Sequence, residues 1–69
     1  MEVNLLATPK KPNPRFEVYR DDLGEWRWRL WSSSDVIADS GQGYSTKAHA
    51  ERAIAAVKRV APDAPIVEE

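Results

Sequence analysis

The chain has 69 residues, 10 Lys and Arg against 11 Asp and Glu, one histidine and no cysteine. At this length a domain buries only about 60% of the surface its unfolded chain exposes, and the usual remedies are a disulfide, a metal or a second subunit. Lack of cysteine excludes disulfides, thiolate zinc sites and cysteine nucleophiles, and one histidine cannot build a histidine-rich metal site, so a second copy of the chain is the remedy still open.

A net charge of −1 supplies no long-range field for nucleic acid or an anionic membrane. No apolar run approaches the ~20 residues that cross a bilayer. The expectation is a cytoplasmic protein without a membrane partner and without a cofactor.

Residues 1–14 read as a proline-rich tail. Pro9, Pro12 and Pro14 remove backbone donors and fix φ, although Val3, Leu5 and Leu6 have the character of a short strand. The domain is expected over residues 15–61. Its first strand is Arg15 to Arg20, with Phe16 and Val18 on one face and Glu17 and Tyr19 on the other. Asp21-Asp22-Leu23-Gly24 supplies turn chemistry, Gly24 being free to take positive φ.

The second strand, Glu25 to Trp31, organises the rest. Trp26, Trp28 and Leu30 alternate with Glu25, Arg27, Arg29 and Trp31, and this strand carries every tryptophan of the chain. Ser32 to Asp35 turns the chain into a weaker third strand, Val36 to Ser40, which ends at Gly41-Gln42-Gly43. The simplest arrangement is a meander in order 1-2-3 with the tryptophan strand in the centre.

The period changes after Tyr44. Thr46 or Ser45 can cap a helix whose apolar positions, Ala50, Ala53, Ile54, Val57 and Val60, recur at spacings of three and four from Lys47 to Val60. Pro62 stops it. Residues 62–69 form an acidic tail or a short edge strand. The fold class is α+β: three antiparallel strands with one C-terminal helix on one face.

R-F-E-V-Y-R-D, G-E-W-R-W-R-L, V-I-A-D-S-G-Q-G-Y and T-K-A-H-A-E-R-A-I, in this order and spacing, resemble the YegP-like family of small bacterial and archaeal proteins of unknown function. The resemblance covers residues 15–64. It implies a β-β-β-α repeat, present twice in tandem in some members, and it implies that a single-repeat chain pairs as a homodimer. It carries no catalytic residues.

Two constellations are candidate sites. Tyr19, Arg27, Arg29 and Trp31, with Arg15, lie on the sheet face away from the helix. One helix covers one face, so the aromatics on the other stay exposed unless a second subunit supplies the lid, and Trp31 and Tyr19 are candidate residues of that interface. Interleaved aromatics and guanidinium groups also describe a surface on which single-stranded nucleic acid stacks. Pairing of Arg27 and Arg29 with Glu17 and Asp39 is the plainer expectation. The second constellation is the turn before the helix, where Gly41, Gly43 and Thr46 could cradle a small anion, but the sequence lacks the P-loop pattern.

His49 reads as a solvated helix residue. Ser32, Ser33 and Ser34 lack a nucleophile context. Nothing here points to an enzyme. The sequence favours a dimeric interaction module with an unidentified protein partner, the alternative being a weak single-stranded nucleic-acid binder.

Overall fold

The computed structural model describes residues 13–69, so Val3, Leu5 and Leu6 lie outside the described residues. Three strands, β1 (Arg15–Arg20), β2 (Trp26–Ser32) and β3 (Asp35–Asp39), precede one helix, α1 (Lys47–Val60), and a single 3₁₀ turn over Ala61–Asp63. The strands form an antiparallel sheet in the order β1-β2-β3. The third strand begins one residue before the expected position and ends one residue earlier.

The β1–β2 hairpin is closed by its loop. Gly24 N–H donates to the Asp21 carbonyl at 3.0 Å and Asp21 N–H to the Glu25 carbonyl at 2.8 Å. Gly24 has φ +82°, which a side chain would strain. This is the three-residue hairpin loop in which a glycine takes the left-handed position after a β-turn. Asp21 reinforces it, its Oδ1 accepting from both Leu23 N–H and Glu25 N–H at 2.9 Å.

The β1–β2 register sets Phe16 opposite Leu30, Val18 opposite Trp28 and Arg20 opposite Trp26, all on the helix side. Phe16 meets Trp28 edge to face, with ring centroids 5.4 Å apart. Arg20 lies over the Trp26 ring and Lys58 of α1 over the Phe16 ring. Charged heads therefore finish the cover that one helix begins.

Thr46 caps α1, its Oγ1 accepting from His49 N–H at 3.1 Å, and Lys58 and Arg59 sit in the last turn, where the helix dipole favours cations. Ala50 of α1 is fully buried and Trp28 of β2 is 6% exposed; these are the buried hydrophobic residues among the described residues. Phe16, Val18, Trp26 and Leu30, expected in the core, are only half-buried. The helix packs on β1 and β2 and does not reach β3. All five residues of β3 are exposed, Val36 and Ile37 among them. A register shift between Leu30 and Trp31 leaves Ile37 without a cross-strand partner.

The connection to α1 is tied to β2 by a bridge in which Trp26 and Tyr44 exchange backbone hydrogen bonds at 2.8 Å. Gly43 is required beside it, since a Cβ there would fall 2.8 Å from the Glu25 Cβ. No helix of the described residues is long and apolar enough to cross a membrane.

Trp28 contributes most of the buried volume. Trp28→Ala is expected to cost about 3–5 kcal/mol in chemical denaturation. Trp28→Phe should cost much less, because the buried indole N–H has no acceptor among the described residues.

Candidate functional site

The sheet face opposite α1 brings together every residue predicted for it. Arg15 faces Trp31 across the β1–β2 ladder, Glu17 faces Arg29 and Tyr19 faces Arg27. Four of the side chains stack in two pairs. Arg15 lies 4.8 Å over the Trp31 ring and Arg29 lies 4.0 Å over the Tyr19 ring. Glu17 Oε1 accepts from the Trp31 indole N–H at 3.0 Å and stands 3.1 Å from Arg29 Nε. Arg27 Nε donates to Asp21 Oδ2 at 2.6 Å.

The Arg29–Glu17 pairing is the expected one, whereas Arg27 takes Asp21. Asp39 stands opposite Arg29 in the β2–β3 register, and its Oδ1 accepts from Gly41 N–H at 2.9 Å. Asp21 was legible only as a turn residue. Its role on this face depends on the hairpin returning Arg27 to its side. Tyr19 and Trp31 are half-buried by arginines of their own chain.

The turn before α1 is occupied by the protein's own groups. Gly41 has φ +71°, and its N–H is held by Asp39. Ser40 Oγ donates to the Gln42 carbonyl at 2.8 Å. Glu25 presses its carboxylate against Gly43, and Thr46 Oγ1 is used by the helix cap. Two carboxylates beside the turn repel an anion there.

The Arg27 hydrogen bond, followed by the Glu25 N–H, holds the Asp21 carboxyl below its ordinary value of 3.8. The same contact raises the Arg27 guanidinium. A depressed folded-state pKa means that the stabilisation is complete above the unfolded titration near 3.8 and is lost as pH falls through the folded value. Asp21→Asn should therefore lower the denaturation midpoint at neutral pH, and the difference from wild type should shrink as the pH falls below the unfolded titration.

The fold and this face together define a single βββα domain with an arginine–aromatic surface on the open side of its sheet. The family described as a domain of unknown function, DUF1508, matches residues 21–68, and the chain belongs to it. A UPF0339 protein of Mesorhizobium japonicum is 46% identical over 52 residues, covering 75% of this chain and 88% of that one. A UPF0339 protein of Stutzerimonas stutzeri is 35% identical over 48 residues, 70% of this chain but 43% of the relative. The NMR solution structure of a protein from Haloferax volcanii superposes with a TM-score of 0.78 at 42% identity, covering 86% of this chain and all of that one. These relatives bear out the resemblance to the YegP-like family.

Proposed function

We propose that the protein is a non-catalytic interaction module of the cytoplasm that works as a homodimer and presents its arginine–aromatic face to a protein partner. The observation that carries the reading is the unfinished core: among the described residues Trp28 and Ala50 are the buried hydrophobic residues, while Val36, Ile37 and Val60 are exposed. Without cysteine, a second copy is the means of burying more apolar area. The Stutzerimonas relative, more than twice the matched length, is long enough to hold two such domains in one chain.

Tyr19, Arg27, Arg29 and Trp31 suit recognition, because tryptophan, tyrosine and arginine dominate the energetics of protein contacts. Their mutual stacking fixes rotamers before a partner arrives, which lowers the entropy lost on binding. Single-stranded nucleic acid is the weaker reading. The Tyr19 and Trp31 rings on which bases would stack already carry guanidinium groups, and the net charge is −1.

Sedimentation equilibrium tests the assembly: a mass twice the 7.8 kDa of the chain is expected, with a melting temperature that rises with protein concentration. A single-chain mass at every concentration would overturn the reading.

A further inference from the structure

The three arginines of the open face are not equally provided for. Arg27 is paired with Asp21 and Arg29 with Glu17. Arg15 has no carboxylate among the described residues, and its Nε is buried without a hydrogen-bond partner. Its guanidinium lies instead on the Trp31 ring. A ring face attracts the charge but leaves the N–H donors to be satisfied from outside. The carboxylates of the face are already in use. Glu17 Oε1 takes the Trp31 indole N–H and Arg29, and Asp21 takes Arg27 and the hairpin N–H groups. Asp39 Oδ1 is turned to the Gly41 N–H.

Trp31 pairs with Arg15 of β1 on one side and with Val36 of β3 on the other. Directly opposed residues share a face of the sheet, so the three form one row across it. Both polar contacts of the Trp31 ring, Arg15 and Glu17, belong to β1. Val36 is left 43% exposed. The row therefore passes from an unpaired cation, through a half-buried ring, to an open aliphatic side chain. It spans two strand spacings, about 10 Å. The Tyr19 end of the face differs, since Arg29 lies on the Tyr19 ring and both neighbouring arginines have carboxylates.

We infer that the Arg15–Trp31–Val36 row binds an extended acidic segment of another protein, an Asp or Glu side chain pairing with Arg15 and a nearby aliphatic side chain covering Val36. The inference rests on the reading of this face as a protein-binding surface, and it names the chemistry of the partner. A carboxylate accepts two parallel hydrogen bonds from a guanidinium. The Trp31 ring holds that guanidinium in place before a partner arrives, which lowers the entropy lost on binding. The ring also keeps water from one side of the ion pair, where lower dielectric strengthens it. A phosphodiester matches the charge of Arg15 but has no use for Val36, and the rings that bases need already carry guanidinium groups.

The probe is a random peptide library displayed on phage and selected on the immobilised full chain. Enriched peptides should share an Asp or Glu with an aliphatic residue a few positions away. Synthesised singly, they should bind Arg15→Gln about tenfold more weakly than wild type. Replacing the shared acid by its amide should cost as much against wild type and nothing further against Arg15→Gln, the coupling expected of a direct pair. Val36→Ser should weaken the same peptides without removing their preference for the acid. Both variants should keep the far-UV circular dichroism and the sedimentation mass of wild type.

Peptides enriched without an acid would overturn the inference, as would acidic peptides that bind wild type and Arg15→Gln equally. If those peptides are lost in Trp31→Glu, the face remains a protein-binding surface and only the acidic partner is removed. A library that enriches nothing sensitive to either substitution removes both readings. The amide peptides need only the wild-type chain, so a poorly folded Arg15→Gln does not spare the proposal. An Arg15→Gln chain of half the wild-type mass would assign the row to a second copy and overturn it. So would an oligothymidine that binds wild type as tightly as the peptides and fails to bind Arg15→Gln.

Discussion

The seating of α1 on the central strand β2 is the interaction on which the rest of the structure depends. Ala50, a small residue fully buried on the helix, lets α1 come close to the sheet, and the buried indole of Trp28 on the central strand supplies volume. A helix is about 10 Å across and strands are spaced about 4.8 Å apart, so a single helix covers roughly two strands. The pair covered is β1 and β2. The exposure of β3, the open flank of α1 and the half-buried state of Phe16, Trp26 and Leu30 follow from that difference in width.

The two faces of the sheet handle their aromatic rings in the same way. On the helix side Arg20 and Lys58 lie over Trp26 and Phe16, and on the open side Arg15 and Arg29 lie over Trp31 and Tyr19. A guanidinium over an aromatic face shields apolar area while keeping its charge near water, at an attraction of about 0.5–1 kcal/mol in exposed sites. A protein this small thus limits its exposed aromatic area without a second layer on the open face. The side chains of the open face are held by Glu17 and Asp21.

The candidate face was legible residue by residue, because strand alternation alone puts Tyr19, Arg27, Arg29 and Trp31 on one side. Its internal pairing was only partly so. Glu17 and Arg29 are directly opposed, and simple register foretells their contact. Asp21 lies beyond the end of β1 and reaches Arg27 only through the curl of the hairpin. The turn before α1 was legible as a backbone shape, with a left-handed Gly41 and a cap at Thr46. That Asp39 and Glu25 occupy it depends on where two other segments end.

By itself the sequence determined the element order, the strand faces, the helix from Lys47 to Val60, its cap and the family, since these follow from local periodicity, turn chemistry and motif spacing within a few residues. Tertiary structure alone decided which strands the helix covers. That choice depends on how a narrow helix sits across a wider sheet, which no periodicity records. The exposure of β3 became visible only once that placement was known.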